Sequence, residues 1–144
     1  MINYLSKMRS SILLACVLFL ATNCTNEGPT AEPIRGHDVQ GALKRARALC
    51  NQNSMVWLSD MLRKAEEDRT SMTHKGNYIG IVSLIKYQGQ RVVYTNFGLG
   101  SGGIAFYLFD CNGNPVNCEV NDEAGKLPNL AETKEAVIYS SLGL

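Results

Sequence analysis

The sequence has almost no excess charge, because 14 Lys and Arg residues stand against 13 Asp and Glu residues, a formal net charge of +1. Such a balance does not predict a nucleic-acid partner, which would require a basic patch. Only two histidines are present, His37 and His74, and neither has a serine, cysteine or acid at a recognised catalytic spacing. CxxC, GKS and GKT motifs are absent, so neither a zinc site nor a P-loop is predicted. We therefore predict no catalytic residue, no metal and no cofactor, and expect that the protein is not an enzyme.

The N-terminal apolar segment is too short to span a membrane comfortably as a mature helix. It covers residues 12–21 and follows the basic residues Lys7 and Arg9. Basic residues before a short apolar segment are typical of a cleaved export signal. We therefore predict a signal peptide over residues 1–23 and an exported mature chain, in which disulfides are permitted.

Cys24 comes directly after this segment and is followed by polar residues. The arrangement resembles a bacterial lipoprotein signal, in which the cysteine is lipidated and becomes the mature N-terminus. The resemblance implies lipidation at Cys24, a bilayer contact through that anchor, and a place in the cell envelope at the outer membrane. The alternative is cleavage by ordinary signal peptidase, which would leave a soluble periplasmic or secreted protein.

Two helices are predicted at the start of a single domain, residues 38–144, which follows a flexible tether over residues 24–37. The first helix covers residues 38–49, with Asp38 as its N-cap. Its apolar stripe at helical spacing consists of Val39, Ala42, Leu43, Ala46 and Leu49. The second helix begins after a cap at Asn53 or Ser54 and ends near Asp68, with Asp60–Lys64 and Arg63–Glu67 as i, i+4 ion pairs.

Residues 78–120 predict an antiparallel β-meander, because apolar and aromatic runs alternate with Gly and Asn turns. A two-residue turn at Gln88-Gly89 would pair Ile85 with Val92 and Ser83 with Tyr94. A third strand is predicted over residues 104–110 and an edge strand over residues 115–120, while residues 136–139 have β character but are too short to assign. The predicted fold is α+β, with the N-terminal helices packed on about four antiparallel strands in two layers.

The two faces of this sheet differ in sequence. One carries Ile79, Ile81, Ile85, Val92 and Tyr94, and the other carries Val82, Leu84, Val93 and Phe97. Lys86 would lie opposite Arg91 on the second face, and such a like-charge pair favours a position exposed to solvent. We therefore assign the first face to the helices and expect the second to be partly covered by the C-terminal segment or to form a contact surface.

Two loops resemble ligand-binding motifs only in part. The glycine-rich loop Gly98, Leu99, Gly100, Ser101, Gly102 and Gly103 precedes a strand rather than a helix, so we predict a flexible partner-contact surface instead of a phosphate site. Asp110, Asn112 and Asn114 have the spacing of a calcium loop. Pro115 and Asn121 replace its required glycine and final acid, so a turn is predicted there.

Three cysteines remain after Cys16 and Cys24, so at most one internal bridge is expected. A tight turn at Asn112-Gly113 would place Cys118 too far from Cys111 for a bond. Our first choice is therefore Cys50–Cys118, with Cys111 as the alternative partner.

The region from Cys50 to Tyr139 resembles small cysteine-containing lipoproteins of Gram-negative envelopes. The resemblance depends on four features: Cys50 before Trp57-Leu58, the turn Tyr87-Gln88-Gly89-Gln90, the segment from Tyr107 to Cys118, and the final Ile138-Tyr139. A helix followed by a meander is also similar to PepSY-like and β-lactamase-inhibitor-like domains. These resemblances imply a non-catalytic module that binds or inhibits a protein of the envelope. The alternatives are a structural envelope lipoprotein and a small thiol- or metal-dependent enzyme using Cys111, His74 or Asp110.

Overall fold

The computed structural model describes residues 36–99, 105–118 and 124–143. Its elements are α1 (Val39–Cys50), α2 (Val56–Ser71), β1 (Ile81–Tyr87), β2 (Gln90–Thr95), β3 (Tyr107–Phe109), a 3-10 turn (Ala124–Lys126), α3 (Leu127–Ala131) and β4 (Val137–Ser140). The predicted α+β class is confirmed. Within the described ranges, no helix is long and apolar enough to cross a membrane.

Helix α1 begins as its sequence predicts. The Asp38 side chain accepts a hydrogen bond from the backbone N–H of Gly41 at 2.9 Å and so satisfies one of the amides left open at a helix start. Helix α2 begins after Met55, slightly later than predicted. Both predicted ion pairs of α2 are present, Asp60–Lys64 at 2.7 Å and Arg63–Glu67.

The β1–β2 hairpin has the predicted register, with Ser83 opposite Tyr94 and Ile85 opposite Val92. The turn residues Gln88 and Gly89 have φ angles of 48° and 78°. Two positive φ angles match the right-handed twist of the strands, and glycine adopts such an angle without strain. The turn therefore fixes which side chains share a face of the sheet.

The fourth strand is not the one that the sequence predicts. The sheet order is β3-β2-β1-β4, so β4 pairs with β1. Pro115 makes only an isolated bridge with Phe109, because proline has no N–H to extend a ladder. Residues 119 and 120 of the predicted edge strand lie outside the described residues.

The assignment of the two faces is also wrong. Val82, Leu84, Val93 and Phe97 are buried in one cluster with Leu43, Leu58 and Leu62 of the helices. The like-charge pair Lys86 and Arg91 lies on this same face but at its end, and Lys86 is exposed. Helices α1 and α2 therefore cover the middle of that face, and only its last cross-strand pair stays open.

The opposite face is covered by α3. Ile81, Ile85, Val92 and Tyr94 form a second buried cluster with Leu127 and Ala131. Ser83 also points to this side, where its hydroxyl donates to the Ala131 carbonyl oxygen at 2.6 Å. Both faces of the sheet are thus used for packing, and the sheet itself offers no broad apolar surface within the described chain.

The two ends of the sheet have different roles. At the end where β1 begins, which we call the tether end, the Gly36 carbonyl oxygen accepts a bond from Ser140 N–H at 2.7 Å, and His37 Nδ1 donates to the Ser140 carbonyl oxygen at 2.9 Å. The last two residues of the predicted tether are therefore held against β4. The opposite end, which we call the hairpin end, contains the β1–β2 turn and lies about 20 Å away at roughly 3.3 Å per residue.

Asp68 supports the predicted loop between α2 and β1. Its buried carboxylate accepts bonds from the backbone N–H groups of His74 and Tyr78. Burial alone would raise the pKa of Asp68, but these donors hold it below its ordinary value.

Replacing Asp68 with alanine should lower the free energy of unfolding by roughly 2–4 kcal/mol, because two amides lose their acceptor. Asp68→Asn keeps one acceptor oxygen and should lose less. Since the folded pKa is depressed, the carboxylate stabilises the protein above an ordinary aspartate pKa, and that stability disappears as the pH falls through the folded value. Urea unfolding at pH 7 and at a pH below the folded pKa of Asp68 measures both effects. An equal loss at the two pH values in Asp68→Ala would contradict this role.

Candidate functional site at the hairpin end

Three loops lie at the hairpin end: residues 51–55 between α1 and α2, the turn 88–89, and the turn 110–114 after β3. A disulfide joins Cys50 at the end of α1 to Cys111, with their Cα atoms 5.7 Å apart. The sulfur of Cys111 also lies 3.8 Å from the carbonyl oxygen of Arg91 in β2. The bridge therefore fixes two of the loops to each other and to the sheet.

The predicted pairing Cys50–Cys118 is wrong, and Cys111, the alternative partner, occupies the bridge. Cys50 packs against the cluster on the helix face, whereas Cys118 packs against the cluster on the α3 face. The sheet thus separates Cys118 from Cys50. Cys111 sits in the turn that leaves the sheet edge toward α1, where its sulfur reaches the helix.

Trp57, near the start of α2, packs against the turn 110–114. Its ring lies 5.5 Å from the ring of Phe109, and its indole Nε1 donates to the Cys111 carbonyl oxygen at 3.4 Å. A Cβ atom on Gly113 would lie 2.6 Å from the Trp57 ring, and Gly113 has a φ of 91°. Only glycine fits there, so the turn is held close to the helix.

The carboxylate of Asp110 accepts hydrogen bonds from the turn that follows it. It accepts bonds at 2.8 Å from Asn112 N–H, Asn114 N–H and Asn114 Nδ2. The side-chain bond from Asn114 and these amides hold the pKa of Asp110 below its ordinary value. The oxygen-rich spacing that suggests calcium therefore forms a self-capped turn, and the described residues contain no cluster of three His, Cys, Asp or Glu side chains able to hold a metal.

The hairpin end exposes two large apolar side chains. Val56 is 75% exposed, and Leu49, which its spacing places in the buried stripe of α1, is 42% exposed. Asn51, Gln52 and Asn53 lie between them in the sequence, and Gln52 Nε2 donates to Asn112 Oδ1 at 3.3 Å, across the two bridged loops. Since loops on a rigid scaffold often carry binding, this end is a candidate binding surface.

A shallow groove of about 330 Å³ lies beside β1 near the same end. Its apolar lining comes from Leu84, Ile85, Leu130 and Ala136, and its charged lining from Lys86 and Glu135. Leu130 is 50% exposed. No local sequence pattern indicates this groove, because it arises where β4, distant in the chain, pairs with only the first residues of β1.

The other predicted site residues lie elsewhere. Gly98 and Leu99 are at the tether end, where Leu99 N–H donates to the Asn77 carbonyl oxygen at 3.0 Å. The remaining members of the predicted contact surface, Gly100, Ser101, Gly102 and Gly103, lie outside the described residues, as does Cys24.

The residues of the alternative enzyme hypothesis are not brought together. His74 lies at the tether end, where its Nε2 is 2.7 Å from Glu67 Oε2. The bond from His74 lowers the pKa of Glu67 below its ordinary value. Cys111 and Asp110 lie at the hairpin end, the first in a disulfide and the second in its own turn.

Replacing Cys50 and Cys111 together with alanine should lower the free energy of unfolding by about 4 kcal/mol, the chain-entropy value for a loop of this size. The two cysteines are 61 residues apart in sequence. Urea unfolding and intact mass before and after reduction are the measurements. Cys118→Ala is the control, and it should keep the mass change of one reducible bridge. Loss of that change in Cys118→Ala would contradict the pairing.

Comparisons with protein-family models, with curated proteins and with solved structures found no match to this chain. The resemblances to envelope lipoproteins and to inhibitor-like domains therefore stay predictions. The contacts of the chain itself are the basis for assigning a function to the hairpin end.

Proposed function

We propose that the protein is an exported, lipid-anchored and non-catalytic binding module that contacts a protein of the cell envelope through its hairpin end. The observation that carries this proposal is the exposure of Leu49 and Val56, which lie in the helices on either side of the loop 51–55 that the Cys50–Cys111 bridge holds. This loop lies at the hairpin end, whereas Gly36 is bonded at the tether end.

Rigid loops favour binding for a thermodynamic reason. A flexible loop loses conformational freedom when a partner orders it, and that loss subtracts from the binding free energy. At the hairpin end the disulfide, the Trp57 contact and the capped turn at Asp110 restrict the loops before any partner arrives. A partner would therefore meet a preorganised surface.

The first described residues are bonded at the tether end. Gly36 and His37 contact β4 there, about 20 Å from the hairpin turn along β1. The disulfide is consistent with an extracytoplasmic location. The intact mass of the exported protein tests the anchor, since an unmodified Cys24 would rule it out.

Site-specific photo-crosslinking in cells tests the binding end. A photoreactive amino acid at Val56 should yield a discrete crosslinked partner, because that side chain is exposed at the start of α2, beside the loop that the bridge holds. Met72 and Leu142 provide matched controls at the tether end, since they are 58% and 65% exposed. These positions should give no such product. Equal crosslinking from both ends, or none from Val56, would count against the proposal.

A further inference from the structure

The outer edge of β1 is covered along only part of its length. Strand β4 pairs with Ile81, Val82 and Ser83, and Leu84 N–H then donates to the Ala136 carbonyl oxygen at 2.9 Å. Before Ala136 the chain leaves the sheet, because residues 133–136 form a turn in which Ala136 N–H donates to Thr133. The second half of β1 therefore has no strand beside it on this side within the described chain.

The backbone of Lys86 points to this open edge. In a two-residue hairpin the flanking pair Tyr87 and Gln90 exchange both backbone bonds, so alternate residues of β1 direct their N–H and C=O groups away from β2. Leu84 follows this rule, because its N–H bonds to Ala136. Lys86 has the same orientation as Leu84, and its N–H and C=O bond to none of the described residues.

The surroundings of this open edge can hold an extended chain. Ile85 and Leu130 lie on the α3 side of the groove, and Lys86 lies on the helix side. Side chains of an added strand would alternate between these two sides. A residue opposite Lys86 would stand beside its ammonium group, and the residues before and after it would contact Ile85 and Leu130.

Charge selects the residue opposite Lys86. Lys86 faces Arg91 across the hairpin, and neither side chain forms an ion pair with any described residue. Two facing cations repel each other and attract an anion. Glu135 lines the part of the groove beside Ala136. Because it would repel a second carboxylate, an acidic residue of a partner is expected opposite Lys86 and not opposite Glu135.

We infer that the open half of β1 binds an extended peptide segment of a partner protein, as an added strand with an acidic residue opposite Lys86 and apolar residues on either side. The added strand would extend the line of β4 along β1. It would accept a hydrogen bond from the Lys86 N–H and donate one to the Lys86 carbonyl oxygen. This inference rests on the proposed function and specifies the partner segment that the hairpin end recognises.

Titration of the purified full-length protein with blocked peptides tests this inference. The probe is Thr-Val-Glu-Val-Thr, and two controls are the same peptide with Lys in place of Glu and the Glu peptide methylated at the Glu backbone nitrogen. The Glu peptide should bind at least about tenfold more tightly than either control. Hydrogen exchange should slow at the Lys86 amide, whereas the amide of Ile85, already bonded within the hairpin, should not change.

Charge reversal provides a second measurement. Lys86→Glu should weaken binding of the Glu peptide at least about tenfold and strengthen binding of the Lys peptide. Lys44→Glu alters an exposed lysine of α1 outside the groove and should leave both affinities unchanged. The comparison of peptides on the unaltered protein does not depend on how either variant folds.

Three outcomes would overturn the inference: equal binding of the Glu and Lys peptides, binding without protection of the Lys86 amide, and no binding at millimolar peptide. Crosslinking from Val56 is independent of all three. If it persists while the peptides fail, the hairpin end binds a partner of other chemistry. If both fail, the proposed function itself is wrong.

Discussion

The Cys50–Cys111 bridge is the constraint on which the hairpin end depends. Residues 51–55 and 110–114 lack a regular ladder of their own and lie far apart in sequence. The bridge brings them together, and Trp57 and Gly113 then pack at a distance that only glycine permits. Without this covalent link, non-covalent contacts such as Gln52 with Asn112 and Trp57 with Phe109 would alone hold the two loops together.

The sheet is buried on both faces, and this determines where function can reside. Helices α1 and α2 cover one face and α3 covers the other. The edge of β4 is partly covered, because Arg45 Nη1 donates to the Val137 carbonyl oxygen at 3.5 Å and Ser140 N–H donates to the Gly36 carbonyl oxygen. The hairpin end stays accessible, with the loops held by the bridge and the unpaired half of β1.

Local signals predicted much of the fold. The Asp38 cap, the ion pairs of α2 and the register set by Gln88-Gly89 involve residues close in sequence, and all are present. The face assignment failed because burial varies along a strand. The pair Lys86 and Arg91 predicts that a whole face is exposed to solvent, yet it lies only at the end that α1 and α2 do not cover.

The candidate site was largely beyond the reach of sequence patterns. The choice between Cys111 and Cys118 depends on which face of the sheet each cysteine reaches, and the groove depends on where a distant strand stops. Leu49 keeps the helical spacing of a buried residue but lies past the part of the core that would cover it. Each of these is set by long-range packing, which periodicity does not encode.

The most direct test of the central claim is amide hydrogen exchange on the oxidised protein and on the protein after mild reduction. If the bridge holds the hairpin end, reduction should speed exchange in residues 51–55 and 110–114 and leave the amides shared by β1 and β2 protected. Uniform acceleration across the domain, or no change in those two loops, would contradict this account.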